Sequence, residues 1–440
     1  LAAAQAARDA GNAPHCVLAA AASIVGPRRA EGARKAAQAL IEQFSSAGLK
    51  SAVDEVFDVT SVATDAARRA LFIGSRPDAK AKAMLAALQT RGAKSVFVRY
   101  LQSLGGHPSA DAVLAAITTT LAWGPLMRKR ISRLTAETLP WWMRLLGTLI
   151  GSSVEASRHE KERFCGIPNA DVLGRRSLTE LACVALVNQE PQPADLFAFQ
   201  TLVGLLLTNG PGSISGQGSK GAVSADGPET PERVQLNKAI VGFLTHSGYA
   251  HGGNGYEGVS FLIERFRGVS LADPGNPGHG LDLKAMATGF AREYEQRKSA
   301  RKEAGGEAQA IPCVNHPVFK GKPVNVDPRE EFVRKLFQQR GEYNVFHDFY
   351  RALVQALHDE GVTRNVFCVN VDGVIAALLL KMLWKRYQSG AFPEAALETA
   401  AFTVFLYGRM IGCAAEIDDH LNRGRNMDTR TSQSQVRFVA

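Results

Sequence analysis

Cysteine is scarce in this chain, with six in 440 residues: Cys16, Cys165, Cys183, Cys313, Cys368 and Cys413. They lie far apart and form no Cys-x-x-Cys pair, so neither a thiolate zinc site nor a disulfide framework is expected. A reducing cytoplasmic setting follows as the default compartment. Long apolar runs are also lacking. The nearest, 197–207, stops at Thr208-Asn209-Gly210-Pro211, so no membrane span is expected. The N-terminus is Ala-rich and reads as a helix, not as a signal peptide. It opens without methionine, which leaves room for residues upstream. Finally, the net charge of +9 includes no long Lys/Arg tract and no interleaving of basic and aromatic residues. Small phosphate- or carboxylate-bearing anions are therefore the expected partners, not nucleic acid.

What is present is ordinary for a globular protein: 45% hydrophobic and 21% charged residues, in a chain long enough for two or three domains. Residues 1–139 read as helix after helix, rich in Ala and Leu, with Pro77, Pro108 and Pro140 as punctuation. Helices continue to 208. A Gly/Ser/Pro-rich stretch, 209–232, reads as a loop or a broken helix, and helices resume near Pro231. Further breaks run over 268–280 and 305–328. No segment shows strand alternation, so the fold class is mainly α.

The first third partly repeats the rest. Residues 111–123 (DAVLAAITTTLAW) lie over 372–384 (DGVIAALLLKMLW), and 40–44 (LIEQF) over 262–266 (LIERF). A weaker match relates 130–137 to 409–416, and the three come in the same order. This predicts a degenerate partial copy over 1–139 and a working module over 140–440, with a smaller domain at about 268–395. Arg29 stands in the first copy where the second has His251.

Four clusters in the later part could carry chemistry. Asp372 opens an apolar helical run, where it is either a plain helix cap or a base toward carbon with a raised pKa. His251-Gly252-Gly253 enters a helix over glycines, a setting that favours an oxyanion. His316 precedes Asp327-Pro328-Arg329. Arg409 and Arg430 could each hold a carboxylate. Taken singly, each histidine or arginine is more often structural.

Together these motifs, in this order, resemble the citrate synthase superfamily. The tail, Asn370-Val371-Asp372-Gly373, then Gly408-Arg409, then Arg430, looks like citryl-CoA lyase and the citryl-CoA-cleaving domain of ATP-citrate lyase. The His251-Gly252-Gly253 motif instead looks like the synthases. No ATP-binding module is visible, so an ATP-dependent lyase on its own is not supported. The resemblance implies a citrate-synthase-like helical fold with large and small domains, acting on acyl-CoA and a 2-oxo or tricarboxylic acid. Asp372 would be the base, His251 the donor that holds the enolate, and His316 the partner of the keto or hydroxyl oxygen. Arg329, Arg409 and Arg430 would clamp carboxylates, with Asn209 and Gln217 near the acid. Lys320, Lys322 and Asn315 would lie along coenzyme A. It also implies a homodimer, or a pseudo-dimer of the two copies, and no metal.

The expected reaction is cleavage of citryl-CoA to acetyl-CoA and oxaloacetate; alternatives are condensation of the citrate or 2-methylcitrate synthase type, and a non-catalytic acyl-CoA-binding protein. Two departures stand out: the family's histidine in the broken helix is missing from 209–217, and Asn315 replaces a glycine before His316.

Overall fold

The computed structural model describes the chain apart from residues 161, 208–212, 226–232, 250, 307–308 and 423–440 and the side chains of residues 156 and 254. Asn209 and Arg430 thus lie outside the described residues. The described chain is mainly α and divides into two compact units. One holds 1–189, 216–245 and 413–422; the other holds 190–215 and 246–412. The division expected at 139/140 falls inside the helix Arg133–Ser152, which runs through Pro140 without a break. An interior proline costs a helix about 3 kcal/mol. Burial of Trp141, Trp142, Leu145 and Leu149 along the same helix offsets that cost.

In the first unit, Pro27–Ser46 packs on Ala110–Met127 and Arg133–Ser152. Proline starts Pro14–Ser23 and Pro27–Ser46 at the position where no amide donor is needed. Ser95, Ser109 and Ser132 cap Val96–Ser103, Ala110–Met127 and Arg133–Ser152, and Ser177 with Glu180 forms a capping box on Leu178–Val187. The core is aromatic: Phe44 meets Phe97 at 4.9 Å and Tyr100 at 5.1 Å, and Phe97 meets Trp123 at 5.3 Å, all edge to face.

Two small antiparallel sheets were not expected: Ile73–Gly74 with His107–Pro108, and His159–Glu160, Arg163–Phe164 and Ile167–Pro168 in order. Strands of two residues cannot display an alternation, so the sequence carried no sign of them. The reading of apolar runs also needs correcting. Ala110–Met127 and Glu394–Asn422 are each long and apolar enough to cross a membrane by length and composition. Their Ala, Thr and Gly content hides this from a search for unbroken large apolar residues. In the second, 78% of the apolar window is buried inside the protein.

In the second unit, Asn254–Phe266 packs on Val371–Gln388, and Leu283–Glu303 on Val345–Asp359. Asp282, Asp327, Asn344 and Asn370 cap four helices through side-chain oxygens. Phe266 meets Phe346 at 4.9 Å and Phe349 at 5.4 Å, and Phe346 meets Trp384 at 5.1 Å. The loop before Pro328–Gln339 is tied down by single bridges, Val314 to Val369 and Val324 to Val366.

Candidate active site

Glycine brings two helix starts together. A Cβ on Gly255 would lie 3.4 Å from Ile375, and one on Gly258 would lie 2.5 Å from Cys313 Sγ and 3.0 Å from Ala376. Farther along, the Trp384 indole donates to the Leu271 carbonyl at 2.8 Å. Asn254–Phe266 and Val371–Gln388 therefore run parallel with their N-termini at one end. His251 stands just before the first helix and Asp372 in the first turn of the second. Both helix dipoles place their positive ends there.

His316 reaches the same end by backbone pairing. The Asn315 amide donates to the Cys368 carbonyl at 2.7 Å, and the Asn370 amide to the Cys313 carbonyl at 3.0 Å. Asn370 then works in two directions. Its side-chain oxygen accepts from the amides of Asp372 and Gly373, and its Nδ2 donates to the Asn315 carbonyl at 3.1 Å. Asn315 has φ +73°, the left-handed region where glycine is usual and asparagine is among the best tolerated substitutes. That is a physical reason for asparagine in the glycine position of the motif. It is thus a turn residue that accepts the His316 amide at 2.8 Å.

His251 is held as a neutral ring. Its Nε2 lies 2.9 Å from Ser215 Oγ and 3.3 Å from the Ser215 amide, which donates to it, so Nδ1 carries the proton. Burial, with Arg409 nearby, pushes its pKa down to about 4. The ring stands edge-on to Phe405 at 5.3 Å. Gly252, at φ +105°, presses on that same phenyl ring, so no side chain fits between them. His316 accepts from the Val318 amide at Nδ1, 3.1 Å away, which leaves the proton on Nε2. Burial and then the Arg329 charge lower its pKa.

Two buried groups, Cys313 and Tyr350, lie close to Asp372. Burial raises the Cys313 thiol well above its usual range, and the Asp372 carboxylate adds to this. The Tyr350 phenol is raised by burial, by Cys313 and by Asp372.

The arginines behave differently from a simple clamp. Arg329 closes its fork on Asp327, with Nε 2.9 Å from Oδ1 and Nη2 2.7 Å from Oδ2, and both residues are buried. Arg409 is fully buried. It donates to the Leu207 carbonyl at 3.1 Å and to Ser213 and Ser215 at 3.2 and 3.3 Å. Lys320 and Lys322 are exposed on the His316 loop, and the Lys322 amide donates to Asn325 at 3.0 Å. Gln217 lies on Ile214–Ser224, among the residues of the first unit.

No family model and no curated protein matches the chain. Solved structures do. The chain is similar in structure to chains of citryl-CoA lyase, ATP citrate lyase and citrate synthase. With the citryl-CoA lyase of Hydrogenobacter thermophilus the TM-score is 0.44 at 17% identity, over 63% of this chain and 89% of that one. With ATP citrate lyase of Methanothrix soehngenii, solved with citrate and coenzyme A, it is 0.44 at 17% identity, over 66% and 41%. With citrate synthase of Thermotoga maritima it is 0.40 at 18% identity, over 68% and 66%. The chain thus spans less than half the length of that ATP citrate lyase chain. At these scores the likeness settles neither residues nor reaction.

Several residues of the site carried no assigned role in the sequence. Ser213 and Ser215 bond Arg409, and Ser215 also bonds His251, in the segment where the family's histidine is missing. Cys313, Tyr350 and Phe405 wall the two helix starts. The signal for Ser215 was its place beside a Gly/Pro break. Phe405 and Tyr350 read as ordinary core positions and gave none.

Proposed function

We propose that this chain breaks or makes a carbon–carbon bond between an acyl-CoA and a 2-oxo acid, in the sense of citryl-CoA to acetyl-CoA and oxaloacetate. In cleavage, the substrate hydroxyl gives its proton to solvent as the carbon–carbon bond breaks, and His316 holds that oxygen by donating through Nε2–H. The electron pair moves into the thioester enolate, whose oxygen His251 holds through Nδ1–H. Asp372, entering protonated, then delivers a proton to the α-carbon. Condensation is the same path reversed, with Asp372 as base. Lys320 and Lys322 would meet phosphates of coenzyme A, and Asn315 would hold the loop they stand on. A homo-oligomer, with Arg430 completing the acid site, belongs to the same reading.

One observation carries this proposal: a neutral histidine and a carboxylate at the adjoining starts of two parallel helices, with a second neutral histidine tied to the same turn through Asn315 and Asn370. The test is turnover of citryl-CoA, and of acetyl-CoA with oxaloacetate, by the wild type and by Asp372→Asn. Turnover in either direction, lost in the variant, is expected. No turnover of either, or an unaffected variant, contradicts the catalytic assignment.

A second reading is a non-catalytic acyl-CoA-binding protein. It draws on Arg329, whose fork is closed on Asp327 and not presented to an acid. It predicts thioester binding without chemistry at the α-carbon.

A further inference from the structure

The register of the sequence repeat extends beyond the residues that define it. The shift that lays 40–44 over 262–266 also lays Pro14–Ser23 over Leu236–Thr245, end to end. The buried residues coincide as well. Val17, Leu18, Ala21 and Ala22 fall on Ala239, Ile240, Phe243 and Leu244, and all of these are buried. Both helices thus bury the same stripe, with the spacing of one helix face. The two helices pack on each other, and the Asn237 side chain donates to the Ser23 carbonyl at 3.2 Å.

A second pair repeats the pattern. The shift that lays 130–137 over 409–416 puts Thr135 over Ala414 and Leu139 over Asp418. Thr135 Oγ1 donates to the Asp418 carboxylate at 2.8 and 2.9 Å, and Asn422 Nδ2 donates to Thr135 Oγ1 at 3.1 Å. Arg133–Ser152 therefore also meets its own counterpart. The repeat assigns Leu236–Thr245 and 413–422 to the later copy, yet both lie in the first compact unit with the first copy.

A surface that meets its own counterpart is isologous, the contact that two copies make across a two-fold axis. We propose that the first copy is the built-in partner of the working module: it occupies, within one chain, the face through which a second copy of that module would bind. Ile240, Phe243 and Leu244 are covered there without a second chain. Joining the partners in one chain turns an encounter between molecules into an intramolecular contact. The interface then persists while one half loses its chemistry. Arg29 stands where His251 does, and Asp111 is held by Arg144. A homo-oligomer joins chains through other surfaces.

Isologous packing is reciprocal, so the contact between Thr135 and Asp418 requires a mate between Leu139 and Ala414. Cysteine cross-linking in the full chain tests both. Thr135→Cys/Asp418→Cys and, separately, Leu139→Cys/Ala414→Cys are oxidised with copper phenanthroline, and the bond is located by peptide mass mapping. A bond at both pairs is expected, within one chain and at a yield that dilution does not change. A covalent dimer of chains overturns the proposal, because the partner is then a second molecule. A bond at the first pair without its mate means a contact that is not two-fold and overturns it too, as does the absence of both. Should either variant not fold, Ser23→Cys/Asn237→Cys and its mate His15→Cys/Thr245→Cys put the same question to the other helix pair. No readout involves turnover, so failure here is distinct from failure of the proposed reaction.

Discussion

Two helix pairs in this protein are built alike and differ where it matters. In the first unit Pro27–Ser46 packs on Ala110–Met127; in the second Asn254–Phe266 packs on Val371–Gln388. Phe44, Phe97, Tyr100 and Trp123 in one correspond to Phe266, Phe346, Phe349 and Trp384 in the other. The matching ring distances agree within about 0.3 Å, as 4.9, 5.1 and 5.3 Å against 4.9, 5.4 and 5.1 Å. Two of the four pairs, Phe44 with Phe266 and Trp123 with Trp384, are positions that the sequence repeat aligned. At the helix start the two part. Asp111 is paired to Arg144, which also donates to the Arg29 carbonyl. Asp372 faces a buried thiol and a buried phenol. A carboxylate closed on an arginine is most often a structural ion, and the thiol and phenol beside Asp372 give it a different setting. We read the first pair as a degenerate copy on this basis.

The largest effect that separates the pairs is on chemistry. Asp372→Asn should lower turnover by about 10²–10⁴-fold, the usual worth of a general acid–base. Asp111→Asn should leave turnover unchanged and, as half-exposed Arg144 is its partner, shift stability by no more than about 1 kcal/mol. Steady-state kinetics and denaturant melts of both variants check this. Equal kinetic losses at the two positions would erase the contrast.

Packing comes next. Gly258→Ala should cost about 1–3 kcal/mol, because its Cβ would collide with Cys313 Sγ and crowd Ala376 on the facing helix. The counterpart in the repeat is Ala36, wholly buried, so there the helices already accommodate a Cβ. Ala36→Gly should cost only about 1 kcal/mol through backbone entropy. A smaller penalty at Gly258 than at Ala36, in urea unfolding, would contradict the close approach.

The smallest effect is on pH dependence. His251 titrates near 4 when folded and near its ordinary 6.5 when unfolded. Between these values the unfolded state binds a proton that the folded state does not. Stability from this group is therefore present above about pH 6.5 and is lost as pH falls toward 4. His251→Gln should flatten that part of a Tm-against-pH curve. An unchanged slope would mean the ring is not held neutral.

Much of this was legible beforehand. Helical spacing gave a mainly α chain, and the order His251, His316, Asp372 pointed to residues that the fold brings to one end of a helix pair. Asp372 as a cap and Asp372 as a base are compatible, since Asn370 does the capping and leaves the carboxylate unused for it. What could not be read is long-range. Nothing local tells that Arg409 is spent on the Leu207 carbonyl and two serines, or that Pro140 lies within a helix. Asn315 was legible only as a departure; its reason is a backbone angle.

The most direct measurement is α-proton exchange of acetyl-CoA in deuterated water, followed by NMR, with and without oxaloacetate. Deuterium entering the acetyl methyl group with the wild type, and not with Asp372→Asn, is the predicted result. Acetyl-CoA that binds yet keeps its protons with the wild type would contradict the account.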